Sequence, residues 1–289
     1  VDFTFLIGQA LTNGLIVGLL YLLMAIGFTL VFGVMRVVNF AHGEFYMLGA
    51  FSAYVCVTKL QLPFLAAVLA TFVLTLIIGW LIEVVVMKGF RGDELNGMIA
   101  TIGLAMILQN GALMIFGPDP QSMPPVAEGV VSLGPVMLPM SRLYVVAFSI
   151  VVLVVLYVFL MHSKGGRALR AVVQDIEIAN AQGIRSQFMY PLGFGIGVAL
   201  AAIAGALMAP VFSVSPSIGS TPLLKAFIVV ILGGLGSIPG AALAALLLGV
   251  FESVANTFMS SSFSDMLLFG FVMLMLIFRP DGLLGKAGR

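Results

Sequence analysis

Three side chains in this sequence are equipped to handle a proton or a polar solute inside an apolar setting. They are Asn39, His42 and Glu44, in the run Arg36-Val37-Val38-Asn39-Phe40-Ala41-His42-Gly43-Glu44-Phe45. A histidine beside a carboxylate can relay protons. The same set can instead line a path for cargo, or hold an interrupted helix together through hydrogen bonds. His42 and Glu44 are two residues apart, so on a regular helix they face different directions. Few other buried carboxylates exist to carry a proton onward, so the relay ranks behind the hydrogen-bond network and path lining. Asn39 can satisfy backbone groups freed at a helix break, and Gly43 permits the bend.

The elements that position this island are membrane-grade. Phe3 to Met35 upstream and Tyr46 to Thr58 downstream carry no charge. Polar groups between such segments are costly in lipid and face a protein interior or a water-filled path. The 289 residues are 61% hydrophobic and 9% charged, against about 25% charged in a soluble domain. The class is an all-α polytopic membrane protein, a single transmembrane domain over residues 1–289. Continuous apolar runs exclude a β-barrel, whose strands alternate apolar and polar residues. A net charge of +1 suggests no nucleic-acid partner, and Cys56 alone allows no internal disulfide. His42 and His162 lie far apart, so no metal cluster is expected, and no cofactor. The N-terminus lacks a basic leader, so the first apolar segment reads as a retained helix.

A bilayer core of about 30 Å needs about 20 helical residues. Qualifying segments run over about Leu6–Val34, Pro63–Met87, Met98–Phe116, Leu143–His162, Phe188–Ala209 and Met266–Phe278, with a shorter one at Glu44–Thr58. Pro222–Asn256 is interrupted by Gly233-Gly234-Leu235-Gly236-Ser237-Ile238-Pro239-Gly240. This gives about eight segments, with broken or re-entrant helices near 33–44 and 222–240. The arm Pro222–Gly233 is short, about 18 Å of helix. Broken membrane helices often mark a transport path. Gly233, Gly234, Gly236 and Pro239 therefore join Asn39, His42, Gly43 and Glu44 as candidates for the path or its helix breaks.

Lys and Arg set the orientation. With a cytoplasmic C-terminus, Arg36, Lys88, Arg91, Lys164, Arg167, Arg170, Arg185, Arg279, Lys286 and Arg289 fall inside. Lys59 and Arg142 fall outside, and Lys225 lies in a membrane segment, where snorkelling to the outer surface is its expected fate. An outside N-terminus then requires an odd number of full crossings. Nine segments satisfy this if every arm crosses; eight do so only if one fails to cross. Prolines stiffen a chain, so an external Pro-rich loop, about 117–142, reads as a rigid platform or lid, or as an ordered but passive connection. Gly193, Gly197, Ala201, Gly205 and Ala209 recur every fourth residue, as do Ala241, Ala245 and Gly249. That spacing lets membrane helices approach closely.

Enzyme motifs are absent, including the G-x-x-x-x-G-K-[ST] phosphate loop. A polar loop, about 163–187, lies on the cytoplasmic side. Within it, Ala168 to Gln182 reads as one short helix, with Gly183 as its stop. Arg167 and Arg170 suit a membrane-surface helix; Asp175 and Glu177 weaken that reading in favour of a docking helix.

Glu177-Ile178-Ala179-Asn180-Ala181-Gln182-Gly183 resembles the E-A-A-x-x-x-G coupling motif of ABC importer permeases, with Ile178 in place of the first Ala. Together with Phe32–Glu44, Gly233–Ala241 and Phe278–Gly285, the order of motifs resembles the LivH-like permeases of branched-chain amino acid ABC transporters along essentially the whole chain. The resemblance implies a bacterial inner-membrane importer that is not itself a catalyst. Its implied partners are a second, LivM-like permease subunit, two cytoplasmic ATPase subunits and a periplasmic substrate-binding protein. It makes Arg170, Gln174, Asp175, Glu177, Ala179 and Gly183 the candidate ATPase-coupling residues. The alternative is a stand-alone secondary transporter or channel for a small polar solute. Urea, amides and aromatic acids are alternative cargoes.

Overall fold

The structure is a computed structural model that describes residues 3–133, 136–234, 236–279 and 282–284. It is an all-α membrane architecture. Helix α1 (Phe3–Met35) is followed by α2 (His42–Tyr54), which runs on as a π-helical turn over Val55–Lys59. Next come α3 (Phe64–Val85), a 3-10 turn (Met87–Phe90) and α4 (Glu94–Phe116). A small hairpin, β1 (Val130–Leu133) and β2 (Val136–Pro139), leads to α5 (Met140–His162). The chain continues through α6 (Lys164–Gln174), α7 (Ile176–Ala181), α8 (Ser186–Met208), α9 (Ser220–Gly233), α10 (Ile238–Phe258) and α11 (Ser261–Phe278). Seven of these helices are long and apolar enough to cross a membrane. Of the four shorter helices, α2 and α9 lie where the sequence marks interruptions, and α6 and α7 form the polar segment before α8.

Burial sorts the helices into a centre and a rim. In its most apolar stretch α8 is 89% buried, whereas α4 is 11% buried. Helix α8 packs chiefly on α3, α2 and α1, and α1 packs chiefly on α10 and α8. The four-residue stripes explain the tight centre. A Cβ added to Gly205 would lie 1.9 Å from the Tyr46 carbonyl oxygen, and one on Gly249 would lie 2.5 Å from that of Gly14. Bare backbone at these positions brings α8 against α2, and α10 against α1.

The first break is sharp. Helix α1 stops at Met35, and Arg36 takes a positive φ of 57°. Residues 37–41 then run back along α1. The His42 side chain reaches the carbonyl of Met24, eleven residues before the end of α1, or about 16 Å along the helix axis. Helix α2 therefore begins beside the middle of α1 rather than beside its end.

Two expectations need correction. The 168–182 segment is not one helix: Asp175, at φ −156° and ψ 113°, separates α6 from α7. Its carboxylate accepts from the N–H groups of Glu177 and Ile178, each at 2.9 Å. An aspartate that caps the next turn competes with helix continuation. The Pro-rich loop is ordered: β1 and β2 pair antiparallel within it, and Gln121 bridges Val214. Lys225 does not snorkel. It is 2% exposed, with its ammonium 2.6 Å from Asp265 on α11 and 3.4 Å from Glu252 on α10. Two carboxylates, Glu252 and the half-exposed Asp265, meet the ammonium where it lies and remove the reason to reach outward.

Candidate functional site

Asn39, His42 and Glu44 do not bond one another; Asn39 and His42 are each held separately. Asn39 is buried, and its Oδ1 accepts from the N–H of Ala41 at 3.0 Å, fixing the turn before α2. His42 is wholly buried and donates from Nε2 to the Met24 carbonyl at 3.1 Å. Its ring stands edge-on to Phe28, 5.5 Å between centroids. Glu44 is buried in the first turn of α2. Asn39 Nδ2, His42 Nδ1 and Glu44 Oε2 have no hydrogen-bond partner among the described residues.

Gly43 makes the closest approach in this region. A Cβ there would lie 2.5 Å from the carbonyl oxygen of Gly219, and one on Gly219 would lie 2.0 Å from that of Gly43. Gly219 immediately precedes α9. The break before α2 and the start of α9 thus meet backbone to backbone.

Gly233, Gly234, Gly236 and Pro239 lie at the opposite end of α9, some 14 residues away, or about 21 Å. Gly233 closes α9, while Gly234 and Gly236 take positive φ of 97° and 84°. Ser237 then caps α10 by accepting from the Gly240 N–H, with Pro239 in the first turn. Leu235 lies outside the described residues. The last carbonyls of α9 are met by the chain's own C-terminal segment: Leu283 N–H donates to Leu232 at 2.7 Å, and Leu284 N–H to Gly233 at 3.3 Å. These four residues therefore do not join the island; they close the far end of the same half-helix.

Helices α6 and α7 form a polar elbow. Gln174, Asp175, Glu177 and Gly183 are exposed, Arg170 is half-buried, and Ala179 is buried. Gly183 takes φ +82°, ending α7. Two bonds tie the elbow to the bundle. The Arg36 guanidinium donates to the Val173 carbonyl at 3.4 Å, and Asn180 Oδ1 accepts from the Ser186 N–H that opens α8 at 3.3 Å. Gly33 on α1 sits so close to Val173 that a Cβ would come within 2.9 Å of its side chain. The elbow therefore touches both the end of α1 and the start of the central helix.

Sequence reasoning left Arg36 out of the site. Its position on the charge side of an apolar helix was a signal, but its partner lies 137 residues away. It also left out a second clamp. Arg91 bonds Glu83 from Nε at 2.8 Å, while its guanidinium lies 4.2 Å over the ring of Tyr190 on α8.

Comparison with known proteins places this geometry in context. A family model described as the branched-chain amino acid transport system permease component matches residues 10–277. The permease protein BraD of the high-affinity branched-chain amino acid transport system of Pseudomonas aeruginosa is 37% identical, over 96% of this chain and 95% of that protein. The corresponding LivH of Escherichia coli is 33% identical over 96% of this chain and 95% of its own length. The LivM permease protein of the same organism is 28% identical over 98% of this chain and 72% of its own length. No solved structure matches. With a polytopic bundle, two half-length helices and a match over nearly its whole length, the chain belongs to the family of branched-chain amino acid transport permease components.

Proposed function

We propose that the chain is the membrane-spanning permease subunit of an ATP-binding-cassette importer for branched-chain or other apolar amino acids. The observation that carries this reading is the elbow of α6 and α7. It exposes Gln174, Asp175 and Glu177, and it is fastened to α1 through Arg36–Val173 and to α8 through Asn180–Ser186. A transporter working alone has no use for such a docking surface. In this reading two cytoplasmic ATPase subunits push on the elbow, with Glu177 and Gly183 at the contact, and Arg170 and the buried Ala179 holding the elbow against the bundle. Motion passes along α1 to the break at Asn39–Glu44. There Asn39 and His42 hold the turn, and Glu44 faces the path.

Likeness to both LivH and LivM proteins supports a pathway shared with a second, LivM-like permease subunit. A periplasmic binding protein delivers the cargo. Likeness to the bacterial BraD and LivH permeases supports the inner membrane, and the Lys and Arg asymmetry supports a cytoplasmic C-terminus and elbow.

The test is leucine uptake in vesicles, with and without the ATPase subunits. Glu177→Lys will abolish ATP-driven uptake while the chain stays folded and in the membrane. Uptake by the permease alone, or undiminished uptake by Glu177→Lys, would falsify the coupling assignment.

A further inference from the structure

Two four-helix units of the chain repeat one pattern, a long helix, a half-length helix and two more long ones. They are α1 to α4 and α8 to α11. Their packing is reciprocal: α1 lies on α10 and α9 as α8 lies on α3 and α2. The elbow is fastened to the end of α1 and to the start of α8, so these two long helices run antiparallel and the units are inverted. Two glycine pairs lie where the units would exchange. Gly27 on α1 and Gly197 on α8 each press on the other's carbonyl oxygen, and Gly43 and Gly219 do the same. Exchange therefore matches Gly27 with Gly197 and Gly43 with Gly219. Counting along the chain from these pairs, Met24 matches Phe194, Phe45 matches Thr221, and Ala41 matches Ser217.

The units agree in topology and differ in packing. Ser217 and Thr221 are exposed and line a cavity of about 350 Å³, together with Met24. A second cavity of about 180 Å³ shares Leu20 and Met208 with the first and extends along α1 to Asn13 and Arg142, away from the elbow. The matching place on the elbow side is filled. Ala41 and Phe45 are 0% exposed, as is Phe194. The rings of Phe45 and Phe194 meet edge-on, 6.3 Å between centroids. One unit is open where its counterpart is sealed by two aromatic rings.

We infer that the Phe45–Phe194 pair is the gate on the elbow side of the path, and that it opens as the cavity at Met24 and Thr221 closes. The conclusion rests on the permease reading above. In a transporter built from inverted units, exchanging the two packings converts a molecule open on one face into one open on the other. Edge-on rings suit a reversible seal, since they exclude water while adding only a weak attraction to each other. With the elbow cytoplasmic, the structure is open outward and this pair is the inner closure.

The test uses the complete transporter in membrane vesicles, with Cys56→Ala. Ser217→Cys and Ala41→Cys, in separate variants, report the two sides through labelling of this chain by a small water-soluble thiol reagent. Labelling is followed without nucleotide, with ATP, and with ATP and vanadate. The condition that slows labelling of Ser217→Cys about tenfold will speed that of Ala41→Cys about tenfold, because one population grows at the expense of the other. In a second measurement, Phe45→Ala will raise ATP-independent leakage of leucine from loaded vesicles about tenfold, and Phe45→Leu, which refills the space, will keep them tight. ATP-driven leucine uptake is measured in the same preparations. If uptake proceeds but the two labelling rates rise and fall together or never change, or Phe45→Ala leaks no faster than its parent, the gate is wrong and the permease reading stands. If the vesicles import no amino acid, both fall.

Discussion

Gly205 has room for a hydrogen and nothing more. The Tyr46 carbonyl 1.9 Å from its would-be Cβ is backbone, so relief requires moving α2 as a whole. Gly205→Ala will lower stability by about 1–3 kcal/mol, the usual cost of overpacking. Thermal unfolding in detergent reads the effect, and Gly111→Ala, where a Cβ meets nothing within 4 Å, is the control. Asp93, which caps α4, supplies a pH effect. Hydrogen bonds from the Asn96 side chain and backbone N–H hold its carboxyl below the usual carboxylate range. A depressed carboxylate contributes stability that is present above its unfolded value and fades as pH falls through its native one. Asp93→Asn will remove that acid-side slope from the unfolding curve, with a small effect because the group is fully exposed. Single residues differed in how legible they were. The four-residue recurrence of small side chains announced Gly205 directly, and membrane cost announced Asn39, His42 and Glu44. Their partners were not legible, because Met24 is met only once the chain doubles back along α1.

At the scale of elements, α9 is held by charge as well as packing. Lys225 joins it to Asp265 on α11 and Glu252 on α10, and Glu252 also accepts from Tyr21 on α1 at 3.0 Å. Removing one partner from a buried ion pair costs about 3–5 kcal/mol, since the others are left uncompensated. Asp265 is 48% exposed at its side chain, so water relieves part of the penalty. Lys225→Met will therefore fall at or below the low end of that range in a thermal unfolding assay. Combining it with Glu252→Gln will recover part of the loss. The long helices were legible to within a few residues, because lipid demands continuous apolar runs. The elbow was not: Asp175 sits among good helix formers, and only its capping bonds reveal the corner. Lys225 was misjudged for a related reason, since its carboxylate partners arrive 27 and 40 residues later in the chain.

The whole molecule shows a buried centre and an apolar rim. Trp80 and Leu69 on α3, Ile107 and Met114 on α4, and Ile277 and Phe278 on α11 are exposed. Such a surface suits lipid or a second permease subunit and is unsuited to water. If the C-terminus is cytoplasmic, the Gln121 and Lys164 ends lie on opposite sides. Gln121→Cys will react with an impermeant thiol reagent from the periplasmic side, and Lys164→Cys only after the membrane is opened; the reverse pattern inverts the topology. The contact of Gly43 with Gly219 bears on how such a molecule can move. Helix α2 leaves that point in one direction along the chain and α9 in another, with bare backbone pressed between them. Neither glycine has a side chain to give way, and the Leu223 Cβ packs beside the contact, so the two half-helices share a fulcrum. Tilting one without the other would open a void or drive carbonyl into carbon. The two half-helices are therefore geared to one another, and a methyl group at either glycine would jam the gear.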